Sequence, residues 1–465
     1  MRYRAPRFHV RDLFDGPFPV AMIGGVAHIL SDLSTTGLSA IAPAQEEPAQ
    51  IAGTDIAFRL QFGDVVLHAG EAGVARVEET TLGRKLGIQF RRSELDLEHV
   101  VGRYRHELSR GRLRAGFDPA LAQAPPGFRI LCADILAALR TCRDVLDEER
   151  YGPFEGSGAL IEDCLAKLSE VLAPLAMEAN GMLEGVLEDP AGLGALKRLA
   201  GRLLAPDFVL SPLWARAVEK PFGYPGDFRL VRAMHEPAPE TGTAYARLLE
   251  QLGRHVFRWI PARTKLIVDA LAREIAHHRV SEPLRIASIG AGAGEELRAL
   301  FARGRPSKPL ALSLLDQDER AAADAHAALH PQSLHAASPI TISCLNASHA
   351  KLLKGGELEG ELYNQHVILT PTLLDYLRHR AAHQLLEALY ARLAPGGVLF
   401  AGCLRQHEAS ARWASELICD WSMIHRTKDE VFALAGDLPR ARIDSRLDKN
   451  GDIYLLILRK PRADH

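Results

Sequence analysis

The chain lacks several features that would settle its chemistry at once. Its 465 residues include only six cysteines, Cys132, Cys142, Cys164, Cys344, Cys403 and Cys419, and none is in a C-x-x-C spacing. That argues against a disulfide framework or a cysteine zinc site and reads as buried thiols in a reducing cytoplasm. None of the 19 histidines falls in an H-E-x-x-H or comparable spacing, so no metal is expected. No apolar run reaches membrane-spanning length, and the basic N-terminus lacks the apolar stretch of a signal peptide. With a net charge of −2 there is no global argument for nucleic acid or an anionic membrane. Internal repeats and low-complexity tracts are absent. What remains is an ordinary globular composition, 47% hydrophobic and 25% charged, long enough for about two to four domains.

The most informative stretch is Leu284 to Leu297, LRIASIGAGAGEEL. A short β-branched run, Ile286 to Ile289, is followed by Gly290, Gly292 and Gly294 and then by a helix expected over Glu295 to Ala302. A strand, a tight glycine loop and a helix N-terminus together offer backbone N–H groups that a ligand can approach closely. Further strands are expected at Leu312 to Leu315, ending in Asp316, at Ile340 to Leu345, ending in Asn346, and at Val367 to Leu369. An acid at the tip of the second strand is the usual partner of ribose hydroxyls in doubly wound folds. Pro395-Gly396-Gly397 leads into Val398 to Ala401. Ala441 to Leu447 and Ile453 to Leu458 then flank Lys449-Asn450-Gly451, where Asn-Gly predicts a type I′ hairpin. This order resembles the class I S-adenosylmethionine-dependent methyltransferases, whose seven-stranded sheet ends in such a hairpin. The resemblance implies S-adenosylmethionine as cofactor, held by Ser288, Gly290, Gly292, Gly294, Glu295, Asp316 and Asn346.

The first hundred residues are strand-like and turn-rich. Strands are expected at Phe18 to Ile23, Ala27 to Leu30, Ile56 to Phe62, Val65 to His68, Gly73 to Glu78 and Lys85 to Phe90, with a closing helix over Leu95 to Leu108. Six short strands at this spacing suggest a small antiparallel barrel. Arg7-Phe8-His9-Val10-Arg11 and Asp32-Leu33-Ser34-Thr35-Thr36-Gly37 stand out as charged features. Together they resemble the R-x-x-x-R and [DN]-x-S-x-x-G signature of PilZ domains, which bind cyclic di-GMP. The resemblance implies Arg7, Arg11, Asp32, Ser34 and Gly37 as ligand-binding residues, the two guanidiniums forking onto phosphates. Arg7 and Arg11 lie in a segment with no helical pattern and are expected on a flexible arm. Without a ligand, the same residues make a basic arm and an Asx or ST turn.

Asp118 to Gly127 reads as a linker. Helical periodicity follows on Leu131, Ile135, Leu139 and Val145, then on Leu160, Cys164, Leu168, Val171 and Leu175, with a third helix over Leu193 to Leu204. Lys220-Pro221-Phe222-Gly223-Tyr224-Pro225-Gly226-Asp227-Phe228 is a rigid non-helical loop, with Asp227 and Arg229 expected at the mouth of a pocket. On physics alone it is an inter-helix connection pinned by aromatics. Helices over Thr241 to Ile260, with Thr241 as cap, and Pro261 to His278 lead into the first strand.

The loop narrows the resemblance. K-P-x-G-Y-x-G-D-[YF], Ser288 before the glycine loop, Leu373-Leu374-Asp375-Tyr376-Leu377, Pro395 to Gly397 and Trp421 to Arg426 resemble a methyltransferase family. It is the family named for biosynthesis of 3-hydroxypalmitic acid methyl ester, a bacterial quorum signal. Three departures stand against the pattern. Ser288 occupies the place of the acid that commonly bonds the donor's amino group, with Glu295 or Glu296 as substitutes. Thr370-Pro371-Thr372 and Gly402 to His407 differ as well.

Methyl transfer from a sulfonium needs alignment and exclusion of water, with no metal or nucleophilic side chain. A carboxylate acceptor needs positioning rather than a base. Arg405 or Arg229 are able to orient one, and Tyr376, Tyr224 and His407 to hydrogen-bond it or act as base for another acceptor. The candidate catalytic residues are therefore Tyr376, Tyr224, Arg405 and His407, with Gly223, Tyr224, Gly226 and Asp227 as the substrate loop.

The expected fold is multidomain. Residues 1–110 are a PilZ-like β-barrel, 111–127 a linker, 128–280 a helical cap and 281–465 an α/β Rossmann-like seven-stranded methyltransferase domain. The expected function is that of a cytoplasmic methyltransferase regulated by cyclic di-GMP. Its partner is a small-molecule or lipid-like acceptor, with a fatty-acid-like carboxylate as candidate and no nucleic acid. The alternatives are a non-catalytic signalling adaptor and an active enzyme whose barrel is only a structural module.

Overall fold

The computed structural model describes residues 6–14, 17–42, 52–80, 83–91, 94–116, 123–148, 157–238, 242–278, 282–304, 306, 308–334, 336, 338–354 and 358–462. Residues 1–119 and 120–465 form two compact units.

The first unit is a closed antiparallel barrel. Its strands are β1 (Phe8–His9), β2 (Val20–Ile23), β3 (Val26–Ser34), β4 (Gly37–Ile41), β5 (Asp55–Phe62), β6 (Val65–Thr80) and β7 (Gly83–Phe90). The order β3-β2-β5-β6-β7-β4 closes through a β3–β4 pairing, and β1 adds to β3. Gly24 and Gly25, at φ 59° and 85°, make the two-residue turn between β2 and β3, the left-handed pair that a tight hairpin requires. Alternate residues Leu30, Leu38, Phe58, Leu60, Leu86 and Ile88 point into the barrel. The helix Leu97–Gly116 closes it: Tyr104 is fully buried, packs edge-on to Phe14 and Phe62, and donates its hydroxyl to the Pro17 carbonyl.

The barrel has six strands, though not the six expected. Val65 to His68 and Gly73 to Glu78 are one continuous strand, β6, because Ala69 to Ala72 between them stay extended and pair with β5. A register shift between Val74 and Arg76 lets β6 serve β7 as well. The overlooked strand is β4, whose Leu38 and Ala40 are wholly buried. The flexible arm is also corrected. Phe8 and His9 pair with Leu33 and Asp32, while Val10 and Phe14 enter the barrel core and anchor the short helix Val10–Leu13.

In the second unit the strands are β8 (Leu284–Ile289), β9 (Leu310–Asp316), β10 (Ile340–Asn346), β11 (Gln365–Thr370), β12 (Leu393–Leu404), β13 (Arg442–Leu447) and β14 (Ile453–Arg459). Their order is β10-β9-β8-β11-β12-β14-β13, with β14 antiparallel to both neighbours. This is the seven-stranded mixed sheet that the sequence leads one to expect. The helices Trp259–His277, Glu295–Ala302 and Glu319–Leu334 cover one face through Ile267, Leu271, Leu297 and Leu329. His379–Ala391 and Lys428–Ala433 cover the other through Leu385, Leu389 and Val431.

The β13–β14 connection is not a type I′ turn. Gly451 has φ 77° but Asn450 is not left-handed, and the loop is organised by the Asp448 carboxylate, which accepts from Asn450, Asp452 and Ile453 N–H groups. A side-chain acceptor replaces the backbone turn.

The helical layer comprises Pro126–Glu148, Ser157–Glu184, Pro190–Leu203, Pro212–Glu219 and Ala244–Val256 around Phe208, Trp214 and Phe257. Val145 and Val171, expected on the apolar faces, point outward. Leu146 and Leu172, one position on, take the buried stripe. Thr241 lies outside the described residues, and the cap of Ala244–Val256 is Thr243, whose side chain accepts from Ala246 N–H.

Candidate functional site

A cavity of about 560 Å³ opens at the C-terminal ends of β8 and β9, where ligands bind in open α/β sheets. The three loop glycines have different tasks. Gly292, at φ 53°, faces open space: a Cβ there would meet nothing within 4 Å, so its backbone is free for close approach. Gly290 and Gly294 are packing glycines: a Cβ at the first would meet Leu373, and at the second Leu314 and Leu329. Gly294 does not line the cavity; Gly290 and Gly292 do.

Asp316 ends β9 in the cavity wall. Its carboxylate accepts from the N–H groups of Gly292 at 2.7 Å and Asp318 at 2.9 Å, while burial pushes its pKa up. Asn346 sits outside the cavity, donating to the Asp316 and Gln317 carbonyls. Ala347 and His349, just beyond it, line the wall instead. Ser288 is buried in the strand, outside the cavity, with its hydroxyl unpartnered. Glu295 lines the cavity but is paired with Arg232 at 3.1 Å and Arg298 at 3.6 Å.

The opposite wall is aromatic, and three sequence motifs build it together. In the first, Tyr224 donates to Asp318 at 2.8 Å, and burial raises its phenol pKa. Gly226, at φ 66°, lies against the Trp421 ring, into which any Cβ would run. Gly223 is left-handed, at φ 87°, with open space beside it. Asp227 is not at the pocket mouth. It is 1% exposed, caps Phe228–Ala233 through the N–H groups of Arg229 and Leu230, and pairs with Arg216 at 2.7 Å. Arg229 is likewise outside the cavity, over the Phe222 ring.

The second motif surrounds Asp375, also 1% exposed, which accepts from Leu404 N–H and from Arg263 at 2.5 Å. The third runs through Trp421 to Arg426. Arg426 donates to the Leu374 and Leu377 carbonyls, and Ile424 N–H bonds the Asp375 carbonyl, so the second and third motifs are stitched together. Lys220 of the first motif holds the Asp420 carbonyl and carboxylate at 3.0 and 2.9 Å. The result fixes the Trp421 indole, whose N–H donates to the Tyr376 hydroxyl at 3.0 Å. That bond fills an acceptor position of the phenol and leaves its proton free to donate. Desolvation pushes the Tyr376 phenol up to about 12, so at neutral pH it is a donor and not a base.

Arg405 and His407 are not part of this cavity. Arg405 donates to the Gly451 carbonyl and His407 pairs with Asp452, so both serve the loop that precedes β14. The residues that the sequence reading overlooked as cavity wall are Trp259, Arg263, Thr264, His349 and Trp421. Trp421 was visible as a motif position. Arg263 and Thr264 had no local signal, because only the packing of Trp259–His277 on the sheet brings them there.

In the barrel, Arg7 donates at 2.8 Å to both the Asp32 carboxylate and the Ser39 hydroxyl, and Lys85 stands 3.4 Å from the other Asp32 oxygen. The Arg11 side chain lies outside the described residues. Ser34 is buried and donates to the Gly37 carbonyl at 3.0 Å. Gly37 abuts the Ile88 carbonyl, into which a Cβ would run. These two residues already have structural tasks in the β3–β4 turn.

No family model matches this sequence, and no curated protein matches it. Among solved structures, a possible exported protein from Bordetella parapertussis is 17% identical with a TM-score of 0.40, covering 73% of this chain and 99% of that one. The mitomycin 7-O-methyltransferase is 16% identical with a TM-score of 0.35, covering 77% and 99%. Magnesium protoporphyrin IX methyltransferase from Synechocystis PCC 6803, with bound SAM, is 12% identical with a TM-score of 0.31, covering 43% and 81%. Among the described residues no helix is long and apolar enough to cross a membrane.

Proposed function

We propose that residues 120–465 transfer a methyl group from S-adenosylmethionine to a small or lipid-like acceptor. The observation that carries this reading is one continuous cavity joining the exposed backbone of Gly292 and the carboxylate of Asp316 to the aromatic wall of Trp259, Tyr376 and Trp421. The residues suit the donor: Gly292 leaves open space beside its backbone, and Asp316 presents a half-buried acceptor for ribose hydroxyls. Bound there, the donor supplies an electrophilic methyl group on a sulfonium. The chain's own part is alignment and exclusion of water. Tyr376 donates into the cavity and orients the acceptor; the aromatic rings hold its apolar body. Both tyrosines remain protonated at neutral pH, which suits an acceptor that is already ionised, such as a fatty-acid-like carboxylate. Incubation with labelled donor and a lipid extract is expected to yield an alkali-labile methyl ester. A stable N-methyl product would move the acceptor to nitrogen, and tight donor binding without turnover would favour a non-catalytic adaptor.

We propose further that the barrel binds cyclic di-GMP and that this regulates the transferase. Support comes from Arg7 standing beside Asp32 and Ser39, which brings the two halves of the sequence signature together. A titration with cyclic di-GMP, repeated with the donor present, tests both parts. No binding removes the barrel from signalling, and binding with unchanged donor affinity and turnover removes the regulation.

A further inference from the structure

The donor end of the cavity has an electrostatic arrangement that the glycine loop does not explain. Position 288, where methyltransferases commonly carry an acid, is a buried serine outside the cavity. Glu295 is consumed by Arg232 and Arg298. The next residue, Glu296, is 6% exposed and lines the cavity, and among the described residues no lysine, arginine or histidine is paired with it. The Arg263 charge and the Thr264 hydroxyl both favour its ionised form, against the burial that opposes it. Arg263, beside Thr264 on the helix Trp259–His277, is 2% exposed and lines the same cavity over the Trp259 ring. Its Nη2 bonds Asp375, while its Nε and Nη1 have no partner.

A buried carboxylate that makes no ion pair and a buried guanidinium with spare donors are each costly to maintain. A ligand carrying a cation and an anion a few bonds apart satisfies both. The adenosine part of the donor has neither charge, whereas its methionine part has both, as an α-amino acid. We propose that Glu296 holds the α-ammonium and Arg263 the α-carboxylate of the donor's methionine moiety, replacing the acid absent at position 288. The Asp375 pair fixes the Arg263 guanidinium plane. Burial, reinforced by Glu295 and opposed by Arg263 and Thr264, pushes the Glu296 carboxyl up to about 7. The arriving ammonium therefore draws off a proton that the empty site retains part of the time.

This assignment rests on the reading of the cavity as a donor site, and the test separates the two. Two ligand pairs are titrated by calorimetry into the full chain. S-adenosylhomocysteine and 5′-methylthioadenosine are both neutral thioethers, and only the first has the amino-acid group. S-adenosylmethionine and its decarboxylated form differ only in the carboxylate. The wild type is expected to lose about tenfold or more in affinity with each truncation. Glu296→Gln is expected to weaken S-adenosylhomocysteine by a similar factor and leave 5′-methylthioadenosine unchanged. Because Arg263 also supports Asp375, its part is read from the wild type with the decarboxylated donor. If Glu296→Gln binds S-adenosylhomocysteine like the wild type, the ammonium assignment is overturned. Equal affinity for donor and decarboxylated donor overturns the carboxylate assignment. Either result leaves the donor-site reading standing. Absence of binding by all four ligands overturns that reading, and the assignment with it.

Discussion

Replacing Glu296 with glutamine is expected to stabilise the ligand-free protein at alkaline pH. The magnitude follows from its carboxyl, which in the fold sits near 7 against an ordinary value of 4.5, chiefly because the group is buried. Below about pH 4.5 folded and unfolded chains both hold the proton, and the group does not discriminate between them. Between about 4.5 and 7 the unfolded chain ionises first, so wild-type stability falls as pH rises, by about 1.4 kcal/mol per pH unit. Above pH 7 the loss levels off at about 3 kcal/mol. Glutamine does not titrate, so the variant escapes this loss. Urea unfolding of both proteins at pH 5 and pH 8, without donor, measures the difference directly. The expected result is near equality at pH 5 and a more stable variant at pH 8. A stability difference that does not change with pH, or a variant less stable at pH 8, refutes the reasoning. Saturating donor should narrow the difference at pH 8, by about 1.4 kcal/mol for a tenfold difference in donor affinity, because only the wild type supplies the counter-charge.

Three further outcomes are expected. Gly292→Val puts a branched side chain at φ 53°, on the surface that meets the ligand, and should abolish donor binding while circular dichroism stays native; Asp316→Ala should weaken it by about 1–3 kcal/mol. Gly226→Ala forces a Cβ into the Trp421 ring at φ 66°, so tryptophan fluorescence and turnover should change while the barrel remains folded. In the barrel, Arg7→Ala should reduce cyclic di-GMP affinity by more than about tenfold, the worth of a hydrogen bond to a charged group. Ser34→Ala should instead lower thermal stability, because that hydroxyl is buried against the Gly37 carbonyl.

The α/β order was legible because β8, β9, β11 and β14 are compact apolar runs, while the polar edge strand β13 was marked by the turn before β14. The helix Glu295–Ala302 begins and ends where its pattern does. Strand β4 was hidden because Gly37 to Ile41 is short and reads as the tail of a turn motif. β6 was split because its glycines resemble a loop until β5 is there to pair with them. At the site, Gly290, Gly292, Asp316, Tyr224 and Tyr376 could be found from local motifs. Arg405 and His407 were drawn in by their place after a strand end, yet the chain turns away there to meet Asp452 and Gly451. Arg263 and Glu296 come to line one cavity only through the packing of two helices on the sheet, a relation with no spacing in the sequence.

Calorimetric titration of the full chain with S-adenosylmethionine, with Gly292→Val as control, tests the central claim most directly. The cavity is expected to bind one donor per chain, and the variant none. No binding by the wild type up to about 1 mM donor, an affinity weaker than about −4 kcal/mol, would contradict the account.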